Sequence, residues 1–235
     1  MNIISYYFNN FGKIMFALET HIFIFLVSLT FSIIIGITIS IFITQEGKKK
    51  IGRIILSVMG AAQSVPSLVI IALTFIFIGI GIKPAIFALI VYSLVPIIFN
   101  TTSGIFSVNQ DVIEAGKGMG LTQNQLLWKV KIPIALPVIM GGIRSSATII
   151  IGSATVAAVI GGGGLGDFIF IGLKLQKPEI LISGALTVSL LAIIVDYIIS
   201  IIEKKIVSKG LKIKKSRRIY HEKLHKYNYD FCINF

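Results

Sequence analysis

Cysteine is almost missing: Cys232 is the only one in 235 residues, which excludes an internal disulfide and a Cys-rich metal site. Charge is nearly as scarce. Asp, Glu, Lys and Arg make up 14% of the chain against 55% hydrophobic residues, whereas a soluble domain carries about 25% charged residues. An ordinary water-soluble globule is thereby excluded. Acid is the rarer sign, with 10 Asp and Glu against 22 Lys and Arg. In a soluble protein that excess of +12 would point to nucleic acid, but in so apolar a chain the membrane comes first. No Gly-Lys-Ser/Thr occurs, which excludes a phosphate loop.

What is present is long uncharged runs. No charge falls in the 24 residues between His21 and Glu46, the 29 between Arg53 and Lys83, or the 27 between Lys83 and Asp111. A helix needs about 20 residues to cross the hydrocarbon, so five spans are expected, at about Ile22–Thr44, Ile54–Ile78, Pro84–Thr101, Pro137–Ile160 and Ile180–Ile202. The fold class is thus all-α and integral to the membrane. Residues 1–21, rich in Tyr and Phe, read as an interfacial approach, 22–202 as the membrane domain, and 203–235 as a basic tail drawn to anionic lipid. Of the 22 Lys and Arg, 17 fall on one side if the N-terminus is outside. The positive-inside rule then places the N-terminus outside and the C-terminus in the cytoplasm.

The longest polar stretch, residues 102–136, joins the third and fourth spans on the basic side. It reads as two short helices hinged near Gly120, with capping boxes at Asp111 with Glu114 and at Thr122 with Gln125, and with Pro133 ending the second helix near Lys131. Within it, EAGKGMGLTQNQLLWKVKIP resembles the cytoplasmic signature of ABC importer permeases: EAA, three residues, Gly, nine residues, then I-x-L-P. Glu114, Ala115, Gly120 and Pro133 match, Val130 and Ile132 stand at the family's Ile and Leu, and Gly116 replaces the second Ala. The resemblance implies a bacterial inner-membrane subunit with the type I importer permease fold. Its loop would be a coupling helix docking on a cytoplasmic ATPase, and ATP and Mg would reside on that partner, with no cofactor on this chain. A second permease and an external binding protein complete the implied assembly. ALETHIFIFLVSL, QSVPSL and the segment IPIALPVIMGGIRSSATIIIGSATVAAVIGGGGLGD are similar to the glycine betaine, carnitine and choline permeases; methionine permeases share the signature and are the nearest competitors. A stand-alone channel or secondary transporter is the alternative from another class, and it leaves the loop from Glu114 to Pro133 without a purpose.

Further candidates lie along the spans. Ser145, Thr148, Gly152 and Thr155 form a stripe of small and hydroxyl side chains, readable as a solute path or as tight helix packing. Pro66 predicts a kink, with Gln63, Ser64 and Ser67 beside it to satisfy freed backbone groups; gate and bundle shaping are both open. Gly163, Gly164, Gly166 and Asp167 belong to GGGGLGD. This run is no dinucleotide fingerprint, because it leaves a membrane helix rather than a strand, and the resemblance places it near an external gate. Arg144 and Asp196 are the two charges well inside spans, and such charges usually pair. His221, Glu222 and His225 spell the zinc-protease pattern, but only Asp230 follows as a further carboxylate. No metal site is expected.

Overall fold

The computed structural model describes residues 3–207, and every regular element in that range is helical. The basic tail and the His221, Glu222, His225 pattern lie outside the described residues. Four helices are long and apolar enough to cross a membrane: α2 (Phe11–Ile43), α5 (Ile82–Phe106), the stretch Gln123–Ile160 that contains α8 (Ile132–Ala157), and α10 (Pro178–Ile206). A fifth crossing exists only if α3 (Lys49–Ala62) and α4 (Ser67–Ile78) together count as one span, for they meet at 98°.

That angle corrects the expectation of one kinked helix over Ile54–Ile78. Pro66 stands ahead of α4 with φ −63° and ψ 139°, an extended conformation, so helical winding stops and restarts rather than bending. Ser64 Oγ donates to the Ala61 carbonyl at 2.7 Å, whereas the Gln63 and Ser67 side chains make no hydrogen bond among the described residues. Pro96, by contrast, lies inside unbroken α5, where Asn100 Nδ2 donates to its carbonyl at 2.8 Å.

α2 begins at Phe11, ahead of the expected span at Ile22–Thr44, and has 33 residues, about 50 Å at 1.5 Å per residue. Its early turns pack instead of floating: Ile14 and Ala17 join Leu165 and Leu191 in a buried cluster. The short α1 (Ile3–Asn9) brings the Tyr7 hydroxyl within 3.3 Å of Thr187 Oγ1 on α10.

α5 and α8 form the centre, with α2 and α10 against them. Ile24 and Phe25, Leu89, Ala147, Ile150, Ile151 and Ala154, and Ile199 make one cluster drawn from all four. Between α2 and α5 the contact uses small residues four apart, Ser28, Ser32, Gly36 and Ser40, all buried. A Cβ on Gly36 would sit 2.7 Å from Ile97 Cγ2, so the helices touch almost backbone to side chain, as membrane helices do when small residues line the seam. Ser32 and Ser93 hydroxyls bond across it at 2.5 Å, and Ser146 Oγ on α8 donates to the Ser93 carbonyl at 2.7 Å. The third span thereby links both neighbours through hydroxyls that would otherwise be unsatisfied in lipid.

Candidate coupling loop and candidate solute path

The polar loop begins with α6 (Gln110–Gly118). Its cap is Asn109, whose side chain accepts from the Asp111 N–H at 2.9 Å; the expected box at Asp111 with Glu114 does not form, because the helix starts before Asp111. At the other end Gly120 takes φ +81°. Its N–H donates to Lys117 O at 2.9 Å and the Leu121 N–H to Gly116 O at 3.2 Å, the paired bonds of a Schellman motif. Thr122 and Gln125 then form a reciprocal capping box that opens α7 (Gln123–Leu126).

Pro133 does not end this second helix. A π-turn over Leu127–Lys131 follows α7, with the Ile132 N–H bonded to Leu127 O five residues back. The widened ladder accommodates a residue lacking an N–H, so Pro133 sits in the first turn of α8 and the chain runs on into the fourth span. The loop is therefore one free helix plus the foot of a membrane helix. Movement of the foot must reach α8 directly.

Leu126 is fully buried beneath α6 and points at Gly116, where a Cβ would lie 2.7 Å from Leu126 Cδ1. Restoring the signature's alanine should therefore cost stability: we expect Gly116→Ala to lose about 1 kcal/mol, overpacking exceeding the gain in helix propensity. Adding Leu126→Val should return it, measured by thermal unfolding of the purified chain. Equal stability of the single variant and the parent would show that the contact yields.

Two large apolar side chains of the loop have little cover among the described residues. Met119 is 75% and Trp128 59% exposed, and Glu114 and Ala115 are exposed beside them. Val130, Ile132 and Pro133 are half-buried at the base. Sequence spacing alone passes over Met119 and Trp128, although large apolar residues inside a polar loop are themselves a signal. Lys117 Nζ reaches across 2.8 Å to Glu46, in the turn after α2. That hydrogen bond holds the Glu46 carboxyl below its ordinary value. The tie is thus present at neutral pH and is lost as pH falls through the lowered value.

The stripe on α8 is clearly placed. Ser145, Thr148 and Gly152 are exposed and Thr155 half-exposed, so they are not buried among the described residues. The two threonines turn their hydroxyls onto their own helix, Thr148 to Arg144 O at 3.1 Å and Thr155 to Gly152 O at 2.6 Å. Gln63 and Pro66 are exposed in the break between α3 and α4.

At the far end of α8 the glycine run folds back on α2. Gly163 and Gly164 have φ +74° and +79°, a region where a side chain is strained. A Cβ on Gly164 would stand 3.2 Å from the His21 side chain, and one on Gly166 would enter the Thr155 carbonyl and Ala158. Asp167 lies in the first turn of α9 (Leu165–Leu175), where its charge opposes the helix dipole favourably.

Arg144 and Asp196 form a bidentate pair, Nε to Oδ1 and Nη2 to Oδ2, both 2.6 Å, with Glu203 3.8 Å from the same guanidinium. It joins α8 to α10. Asp196→Ala should lower the amount of subunit in the membrane several-fold by leaving the Arg144 guanidinium with only its long contact to Glu203, and exchange of the two residues should recover much of it, read by immunoblot of membranes. Unchanged levels in Asp196→Ala would remove the pair from the structural account.

The family described as the binding-protein-dependent transport system inner membrane component matches residues 32–208. A glycine betaine/carnitine/choline transport system permease protein of Bacillus subtilis (strain 168) is 43% identical over 203 residues, covering 86% of this chain and 93% of its own length. A choline transport system permease protein of the same organism is 41% identical, covering 90% and 96%. A carnitine transport permease protein of Listeria monocytogenes is 38% identical, covering 89% and 95%. Among solved structures, a methionine ABC transporter in an inward-facing conformation matches with a TM-score of 0.70 at 21% identity, over 83% of this chain and 96% of that one. At that identity the likeness speaks for the fold.

Proposed function

This chain belongs to the inner-membrane components of binding-protein-dependent transport systems, and from that premise we propose that it carries a compact quaternary ammonium osmoprotectant: glycine betaine, carnitine or choline. The observation that carries the reading is identity of 38 to 43% to permeases for those solutes over nearly their whole length. The chemistry of the α8 stripe agrees with it. Hydroxyls and small residues let a zwitterion or soft cation pass without a tight ion pair to trap it in a low-dielectric passage. Tight recognition of the cation then belongs to an external binding protein, where affinity is needed.

The energy comes from a cytoplasmic ATPase. Helix α6 with Ala115 and the following Met119 exposed, together with the exposed Trp128 of the π-turn, suits the groove of such a subunit, and the continuous path from α7 through the π-turn into α8 offers the linkage. ATP binding must favour one access state of a permease pair and hydrolysis must release it. The second permease is an identical or closely related chain meeting this one along α8.

In this reading the bent pair α3–α4 completes the fifth crossing, which puts the N-terminus outside and the coupling loop and C-terminus inside. With Cys232 first replaced by Ser, cysteines at Asn9 and Lys177 should react with an impermeant reagent in intact cells and one at Asn124 should not. Labelling at Asn124 would overturn the orientation. For the solute, the complex reconstituted with its ATPase and binding protein should take up radiolabelled glycine betaine, carnitine or choline. Uptake of methionine and none of the three would overturn the osmoprotectant reading and leave family membership intact.

A further inference from the structure

One carboxylate stands between two lysines behind the coupling loop. Glu46, on the turn between α2 and α3, accepts from Lys117 Nζ of α6 at 2.8 Å. It lines two cavities at once: one of about 400 Å³ shared with Lys49 and Arg53 of α3 and with Lys117, and one of about 280 Å³ shared with Gln123, Asn124 and Leu127 of the foot. Lys131, the last residue of the π-turn, lines both as well. It is only 9% exposed and makes no ion pair among the described residues, although lysine is rarely buried without an opposite charge. The carboxylate that acts on it is Glu46, against the repulsion of Lys49 and Lys117. Four cations of this basic cavity thus share one acid.

The present partner holds that acid loosely. The side chains of Glu46 and Lys117 are 39% and 42% exposed, and an ion pair so open to water contributes little. Nearer Lys131 the attraction would be stronger in drier surroundings, offset by the loss of water from the carboxylate. Neither arrangement therefore dominates by a wide margin. Their geometry makes them alternatives. Leu126 of α7 is buried beneath α6 against Gly116, so Lys117 and Lys131 ride on one packed unit, while Glu46 belongs to the end of α2. A shift of that unit carries both lysines past a single carboxylate.

We propose that Glu46 is a two-position latch, holding Lys117 in the arrangement seen here and passing to Lys131 when the coupling loop shifts against the end of α2. The proposal rests on the reading of this loop as the element that an ATPase moves. Because Lys131 immediately precedes α8, the second position fastens the root of the fourth span to α2, whereas the first fastens α6. Each access state then has its own ion pair, and Glu46 and Lys131 are positioning residues for coupling.

The test is zero-length carbodiimide crosslinking of the chain in complex with its ATPase in lipid nanodiscs, without nucleotide and with magnesium ATP trapped by vanadate, read by peptide mass spectrometry. Only a carboxylate and an ammonium already in contact are joined. Amides from Glu46 to Lys117 and from Glu46 to Lys131 should both form, and their ratio should change at least about fivefold between the two conditions. Glu46→Gln, at an exposed position, should reduce the solute carried per ATP hydrolysed by about tenfold, and so should Lys131→Gln. The double variant should be no worse than either alone, as for residues that act as a pair. Lys49→Gln, which removes a cation of the same cavity with no part in the exchange, should change the ratio of solute to ATP less than about twofold. Absence of the Glu46 to Lys131 amide in both conditions, or an unchanged amide ratio while the ATPase stays bound and active, would overturn the latch and leave the coupling role standing. Additive losses in the double variant would do the same. Failure of the ATPase to associate with the chain would overturn both.

Discussion

Gly120→Leu should cut uptake by about 100-fold while the subunit remains in the membrane at its usual level. Two effects add. Gly120 has φ +81°, where a residue with a Cβ loses about 1–2 kcal/mol, roughly a 5- to 30-fold population shift away from the hinge geometry. The remainder comes from docking. None of the described residues lies within 4 Å of a Cβ built at Gly120, so leucine is free of them and, on the proposed coupling role, projects into the space an ATPase groove would occupy. Asparagine, which tolerates the left-handed conformation, is the control: Gly120→Asn should retain at least half of the uptake. Co-purification of the ATPase distinguishes an uncoupled loop from an undocked one. Normal uptake and normal ATPase association with Gly120→Leu would remove the loop from the coupling role.

The hinge at Gly120 and the box at Thr122 and Gln125 are legible in the sequence because each depends on residues within five positions of one another. The crossings are legible for a related reason: uncharged runs of more than 20 residues have few alternatives. Misreadings arise where the decisive partner lies outside the local window. Pro133 looks like a helix stop until the Ile132 N–H is seen bonding five residues back to Leu127, which lets the helix continue through the foot. Pro66 signals a break but not its angle, since the 98° between α3 and α4 depends on how both helices pack against α5. Asp111 with Glu114 has capping-box spacing, yet the cap is Asn109, two residues earlier, which accepts from the Asp111 N–H without a box. The basic cavity is of another kind. Lys49, Arg53, Lys117 and Lys131 come from three separate elements, and no linear pattern unites them. Ser28, Ser32, Gly36 and Ser40, at a strict interval of four, do carry a readable packing signal.

Gly152→Leu is expected to leave this subunit folded, and by helix propensity slightly more stable, yet to reduce uptake at least about 100-fold. Glycine inside a helix is about 1 kcal/mol worse than alanine, and leucine is nearly as good as alanine, so a glycine here costs helix stability. For Gly142 the glycine has an internal reason: a Cβ there would lie 2.8 Å from Asn100 Cβ and 3.0 Å from the Pro96 carbonyl. For Gly152 nothing lies within 4 Å, and the same holds for Gly141 lower on the outward face that carries Ser145 and Thr148. Nothing among the described residues asks for a small residue there; in the proposed assembly a second permease or the solute would. Leucine would obstruct either one, but the two cases separate on assembly. If α8 is the seam, Gly152→Leu dissociates the permease pair on size-exclusion chromatography. Should Gly152 line the path, the pair persists, ATP is still hydrolysed, and uptake alone is lost. Thr148→Val, which keeps the shape and removes a hydroxyl already bonded to Arg144 O, should change uptake only a few-fold in either case. Parent-like uptake by Gly152→Leu would show that neither a partner nor a solute approaches this face.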